Sequence, residues 1–389
     1  MSRNRTLTLL AGALALALTA GACSSGSDKG GSGAAVPAAS GSQSLKGVCP
    51  DPVVVQTDWW PESEHGAVYQ LLGPGYKADT GKKRITGPLV TQGKDTGVRI
   101  ELRAGGPAIG FQQVSAQMYL DRSITLGFVA TDSAAALSTK QSTLSVVSPL
   151  DLNPQMIMWD PQVHPEFHTI ADIGQTNTKV LYFKGSTYMD YLVGSGILRS
   201  SQIDGSYDGA PDHFVSSGGK IAQQGFATSE PYVYQNELPQ WRKPVAFQLV
   251  NDTGYPTYSS ALSIRSDAKS QLTSCLQRLV PMVQRAQIDF VKNPDPVNKL
   301  IVQVDKDYKS GYPYDAGLAK FTVEQSLKLG IVGNGTDKTL GNFDMSRIKR
   351  TIDIVTPIFA AQKQPVKAGL RPEDIATNEF IDPSIGLTL

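Results

Sequence analysis

Asp58-Trp59-Trp60-Pro61, followed closely by His65, gathers a carboxylate, two indoles and an imidazole into eight residues. An indole face stacks on a flat ring, worth ~0.5–1.5 kcal/mol beyond burial for an aromatic pair. A carboxylate accepts hydrogen bonds from ring N–H or amino groups. The competing reading puts one Trp in the core and leaves Asp58 to cap the next helix. Thr228-Ser229-Glu230-Pro231-Tyr232 supplies a second acid, Glu230, able to accept from an amino-substituted heterocycle or to pair with a cationic amine. Gly185-Ser186-Thr187-Tyr188 offers small residues and hydroxyls for a polar group, and Thr131-Asp132-Ser133 falls at a strand-to-helix junction where free N–H groups gather. Gly106, in the turn Gly105-Gly106-Pro107-Ala108, lets backbone approach a ligand because it has no Cβ. The turn lacks the Lys-Ser/Thr pair of a phosphate loop. These segments are acidic and aromatic; Lys184 is the single base beside them. An anion could still bind at helix N-termini, but the set favours a neutral or cationic, nitrogen-bearing planar ligand.

Other chemistries find no support. The four histidines, His65, His164, His168 and His213, form neither HExxH nor a readable Ser/His/Asp arrangement, and GxSxG is absent. Three cysteines without CxxC or Cys/His spacing make no zinc or redox site. Neither an enzyme nor a cofactor or metal is therefore expected. Lys plus Arg is 36 against 35 for Asp plus Glu, so the chain lacks the basic surplus that nucleic acid demands. With 389 residues, 40% hydrophobic and 18% charged, it can bury a large core. No apolar stretch after residue 22 reaches the ~18–20 residues of a membrane-crossing helix, which excludes a multi-span helical membrane protein.

The elements that must position these residues alternate. Residues 53–56 read as a buried strand, 65–72 as a helix, 98–102 as a strand, 112–120 as a helix, and 124–129 as a strand feeding a helix at 134. That order predicts an α/β fold with a mainly parallel sheet. A strand over 144–147 leads out to a second series, with strands at 155–159, 179–183, 221–227 and 245–250 and a return near 260–264. Helices over 267–290, 298–304, 315–329 and 345–355 follow and are expected to pack on the first lobe. Lobe 1 is then 48–150 with 255–389, and lobe 2 is 151–254. Tyr255 and Tyr258 fall at the crossing between them, placed either to close over a ring or to pack a hinge. Ligands of open α/β sheets sit beyond the carboxyl ends of strands, and two lobes can share one cleft.

The N-terminus reads as an address. Arg3 and Arg5 precede an apolar run of mostly Leu and Ala that ends in Ala20-Gly21-Ala22, directly before Cys23. This resembles a bacterial lipobox, in which the cysteine takes a diacylglycerol, although Ala20 stands where Leu is usual. An ordinary secretory signal over 1–22 is the alternative. Residues 23–47 begin at the lipid-accepting Cys23 and continue as a Ser/Gly/Ala-rich tether. Export would put Cys49 and Cys275 in an oxidising space, where an even pair favours a disulfide over two buried thiols.

VVVQTDWWPESEH, GGPAIGFQQVSAQ, VVSPLDLNPQMIMWDP, KGSTYMDYLVGSG, QQGFATSEPYVYQNE and TNEFIDPSIGL resemble, in order and spacing, substrate-binding proteins of ABC importers. The similar group includes binders of nitrate, alkanesulfonates, taurine and thiamine pyrimidine precursors. The resemblance spans about 53–387. It implies a two-lobed type II periplasmic-binding-protein fold, a monomer that closes on its ligand, and permease and ATPase partners at a membrane to which the lipid on Cys23 holds it. In relatives that take pyrimidine-like ligands, a similar Asp-Trp-x-Pro segment with a nearby His lines the cleft, which maps to Asp58, Trp59, Trp60 and His65. Fungal pyrimidine-synthesis enzymes share this fold but carry a cysteine-rich motif that three cysteines cannot supply. A nitrate or sulfonate binder, and a lipid-anchored sensor without a permease, remain the alternatives.

Overall fold

Val53-Val54-Val55-Gln56 is buried at every position, the pattern of a central strand covered on both faces. In the computed structural model, which describes residues 36–388, this strand is β1 (Val53–Gln56). It sits in the middle of a sheet with β2 (Lys77–Asp79), β3 (Arg84–Thr91), β4 (Lys94–Arg103), β5 (Ile124–Val129) and β6 (Thr143–Val147). The chain then builds a second sheet from β7 (Gln155–Trp159), β8 (Val180–Leu181), β9 (Ile203–Asp204), β10 (Ala222–Phe226) and β11 (Ala246–Leu249). It returns to the first sheet as β12 (Ala261–Arg265). The strand orders are β2-β3-β4-β1-β5-β12-β6 and β11-β7-β10-β8-β9.

The expectation of a mainly parallel sheet is corrected. Parallel pairing is confined to β1 with β4 and β5 in the first sheet and to β8 with β9 and β10 in the second. The other pairings are antiparallel: β2 and β3 join through the short connection 80–83, and two further physical reasons account for the rest. The segment 84–103 is a hairpin that turns at Gln92 and Gly93, whose φ values of 48° and 73° suit a tight two-residue connection. The strands flanking each crossing, β6 with β12 and β7 with β11, reverse direction relative to the strands beside them.

The crossings between sheets run from Val147 to Gln155 and from Leu249 to Ala261. Asn153 Nδ2 donates to Thr257 Oγ1 across them at 2.9 Å, so the connections lie side by side, as a hinge requires. The helices Lys269–Lys292, Asp295–Tyr308 and Ala316–Lys328 bury apolar faces in the core of the first sheet. The last long helix, Met345–Ala361, departs from the expectation that it packs on the first lobe alone. Its apolar stripe shares a core with residues of both lobes, Val54 and Ile124 from one and Ile157 and Leu192 from the other.

The tether expected over 23–47 is also corrected over its described part. Ala38 bridges to Asp95 of β4, Leu45 is fully buried in the core, and Arg278 donates to the Ser44 carbonyl at 2.7 Å. Burial of Leu45 acts together with backbone pairing, Ala39 N–H to the Asp95 carbonyl and Leu45 N–H to the Thr96 carbonyl, to order a segment that composition alone marks as flexible. Cys23 and the signal segment 1–22 lie outside the described residues. Cys49 and Cys275 are joined by a disulfide with a Cα–Cα distance of 4.8 Å. Among the described residues no helix is long and apolar enough to cross a membrane.

Candidate functional site

β1 ends in Gln56, and the chain turns outward through Thr57. Thr57 Oγ1 donates to the Trp59 carbonyl at 2.8 Å and holds the turn in place. This sends Asp58 and Trp59 past the carboxyl end of the strand and towards the second sheet. There they line a cavity of about 230 Å³ with Glu62 from the same turn, Tyr312 from the loop between two helices of the first lobe, and Gln155, Phe183, Ser186, Tyr207, Gln224, Ser229 and Glu230 from the second lobe. Trp59 is its aromatic wall. The indole lies 6.2 Å from the Phe183 ring across the cleft and 6.0 Å from Phe111. Trp60 lines an adjoining cavity with Trp59 and Glu230, and Gly106 another with Asp58 and Trp59.

The cavity is acidic. Burial pushes the Glu62 carboxyl well above the usual carboxylate range, and the neighbouring Glu64, Asp58 and Glu230 push it the same way. Burial likewise raises Glu230 to about 7, although the Phe226 N–H donates to it at 2.6 Å. Glu64 is raised by burial too, against the hydrogen bond it accepts from Thr228. Asp58 Oδ1 lies 2.7 Å from His65 Nε2, and Asp58 Oδ2 accepts from Ser260 at 3.2 Å. No Lys or Arg is among the described residues that line the cavity.

Beside it, the two lobes meet in a polar seam. Thr228 Oγ1 donates to Glu64 Oε1 at 2.6 Å, Thr322 Oγ1 donates to the Thr228 carbonyl at 2.9 Å, and Ser229 and Tyr312 hydroxyls share a 2.5 Å hydrogen bond. Thr228→Val keeps the shape but strips the donor from a buried carboxylate. It is expected to lower unfolding stability by about 1–3 kcal/mol in chemical denaturation at pH 6, below the value of about 7 to which Glu230 is raised; an unchanged midpoint and slope there would show that the bond carries no energy.

Asp58, Trp59, Ser186 and Glu230 thus reach the main cavity, and Trp60 and Gly106 its margins. The remaining expected contact residues do not line it. His65 is fully buried and packs 4.8 Å from the Phe128 ring, so it orients Asp58 from behind. Thr131 is fully buried and exchanges hydrogen bonds with the Tyr258 backbone. Asp132 accepts from the Tyr255 hydroxyl at 2.8 Å, and Tyr255 stacks on Tyr191, so both are spent inside the hinge packing. Thr187 is the first residue of the helix Thr187–Gly194, directly after the cavity-lining Ser186, and does not itself line the cavity. Tyr188 donates to Gln224 Oε1 at 2.6 Å and acts one residue removed. Tyr232 packs against Phe321 at 5.6 Å, joining the lobes outside the cleft.

Among the residues of the cavity and seam that sequence reasoning passed over are Glu62, Glu64, Gln155, Phe183, Tyr207, Gln224 and Tyr312. For the first two a signal existed: carboxylates directly after a pair of indoles. Tyr207 and Tyr312 sit in loops whose approach to the cleft is set by long-range packing.

No family model matches the chain, and no curated protein does. Solved structures do resemble it. The aliphatic sulphonate binding protein of Escherichia coli superposes with a TM-score of 0.52 at 14% identity, covering 88% of this chain and 96% of that one. The alkanesulfonate-binding protein of Xanthomonas axonopodis pv. citri, bound to MOPS, gives 0.50 at 11% identity, covering 85% and 99%. A periplasmic sulfonate-binding protein of Methylobacillus flagellatus KT gives 0.52 at 12% identity, covering 85% and 93%. At such identities the likeness is one of architecture: this chain has the two-lobed α/β fold of the periplasmic binding proteins.

Proposed function

We propose that the protein is the extracytoplasmic solute-binding component of an ABC importer. It captures a small nitrogen-bearing planar molecule, of the kind of a pyrimidine-type vitamin precursor, between its lobes and delivers it unchanged to a membrane permease. The observation that carries this reading is the cavity itself: an aromatic wall, Trp59 with Phe183, beside the carboxylates Asp58, Glu62 and Glu230, with no base among its described lining residues. Trp59 stacks on the ligand ring, the carboxylates accept from its amino or ring N–H groups, and Ser186 and Glu230 hold it from the second lobe. Sulfonates, which the similar structures are named for, would meet carboxylates here and no Lys or Arg among the described lining residues. The lipid on Cys23 tethers the protein beside its permease.

A thermal-shift screen of the full chain tests this. Pyrimidines, flavin and thiamine precursors, polyamines, sulfonates and nitrate are compared. A ligand at 100 times its dissociation constant adds about 2.7 kcal/mol to stability, so an amino-heterocycle is expected to raise the midpoint clearly. A shift by sulfonates or nitrate alone would replace this ligand class with the anion class. Turnover of a bound compound would make the protein an enzyme. Cys23→Ala is expected to move the protein from the membrane to the soluble fraction; persistence in the membrane would refute the lipid anchor.

A further inference from the structure

Closing the cleft brings like charges together. Asp58 and Glu62 belong to the first lobe, in the turn after β1, and Glu230 to the second, just beyond β10; all three face one cavity. Glu64, four per cent exposed, stands behind them at the seam. The groups packed around this set offset it only in part: His65 is the basic side chain against it, shared among the carboxylates. Glu62 has His65 Nε2 at 3.7 Å, but that nitrogen lies closer to Asp58. Glu230 takes the Phe226 N–H, Glu64 takes the Thr228 hydroxyl, and Asp58 takes Ser260. Tyr207 and Tyr312 are neutral hydroxyls, while Asp305, further off, adds negative charge. Among partly buried carboxylates such repulsion is costly unless a positive charge or protons enter with closure.

We propose that the cleft is a cation-triggered clamp: the ligand is a small aromatic or heteroaromatic cation, and its charge, placed among Asp58, Glu62 and Glu230, is what allows the lobes to close. This rests on the solute-binding reading above and narrows it from nitrogen-bearing ligands to cationic ones. The aromatic rings fit such a ligand, since a cation over an aromatic face is attracted to it. A metal ion suits the set less well. Asp58, Glu62 and His65 do place three ligand atoms within 4.8 Å of one another. Yet buried His65 Nδ1 has no hydrogen-bond partner, whereas a metal-bound histidine almost always donates its other N–H to one.

Burial with like charges also fixes the sign of a pH effect. A carboxyl raised above its unfolded value binds protons more tightly when folded, so the closed form gains stability as pH falls from about 7 towards 5 and loses it as pH rises through about 7.

Hydrogen exchange at the seam, read by mass spectrometry on the peptide containing Thr228 and Ser229, tests the clamp at pH 8. Protection in the ligand-free protein is expected to rise at least tenfold with benzamidinium and to stay unchanged with its neutral isostere benzamide or with methanesulfonate. The double variant Glu62→Gln, Glu230→Gln is expected to be protected without any ligand, because its lobes close without repulsion. A double variant exchanging like the unaltered protein overturns the clamp, as does equal protection by benzamide, or protection by zinc ion and not by benzamidinium. Closure on methanesulfonate would leave the solute-binding reading standing while ending this one. A variant that closes unaided, together with a ligand screen that finds no binder, would do the reverse.

Discussion

Replacing Cys49 and Cys275 together by Ala is expected to cost about 2–5 kcal/mol of unfolding free energy, the range typical when a native disulfide is removed. The residues are 226 apart in sequence. The chain-entropy account gives about 5 kcal/mol for a loop of that order, because the bond forbids the most extended unfolded conformations. The native state supports the upper part of the range. Cys275 lies on the core-facing stripe of the helix Lys269–Lys292, between Leu272 and Leu279, and is fully buried. Cys49 lies four residues before the first residue of the strand that carries Asp58 and Trp59 to the cleft. The bond thus fastens the entry of the first sheet to its largest helix, and Ala fills both sites without a buried hydroxyl. Chemical denaturation with and without reductant measures the effect. A loss below about 1 kcal/mol would mean that the packing of 36–47 and the helix already restrain the chain as tightly as the covalent bond does.

What the sequence conveyed depended on range. β1 is legible because three consecutive valines leave a clear apolar run, and the chemistry of Asp58 and Trp59 is legible because the turn carrying them follows that strand immediately. The long helices were legible from their periodicity, with ends displaced by a few residues. β3 was not, because Gly87 and Pro88 interrupt its pattern. The structure accommodates that Pro at an irregularity in the pairing of β3 with β4. At the site, Thr131 and Asp132 have the right types at a strand-to-helix junction, but their partners, Tyr258 and Tyr255, lie more than a hundred residues away and absorb them into the hinge. His65 enters the expected contact set only through the resemblance to relatives whose Asp-Trp-x-Pro segment has a nearby His; its burial against Phe128 follows from how the turn folds back on β5, which local sequence does not encode. The carboxylate set that dominates the cavity is assembled from residues separated by more than 160 positions, so its charge density emerges only when both lobes are placed.

The second large effect concerns the indole wall. Trp59→Ala is expected to weaken ligand binding by about 2 kcal/mol or more, the size typical of a dominant aromatic contact, which is about thirtyfold in dissociation constant. Gly106 gives an independent route to the same result. Its φ is +54°, which disfavours any side chain, and a Cβ built there would lie 2.5 Å from Trp59 Cε3. Gly106→Ala must therefore tilt the indole out of place while leaving it in the protein. Gly110 separates this from simple backbone strain: its φ is +63°, yet a Cβ there would meet nothing within 4 Å. Calorimetric titration should show Gly106→Ala losing affinity on the scale of Trp59→Ala, while Gly110→Ala loses stability but keeps affinity. Affinity unchanged from the unaltered protein in all three variants would remove Trp59 from the binding surface. Loss in both glycine variants would point to rigidity of the 105–110 turn, and not to the position of the indole, as the determinant of binding.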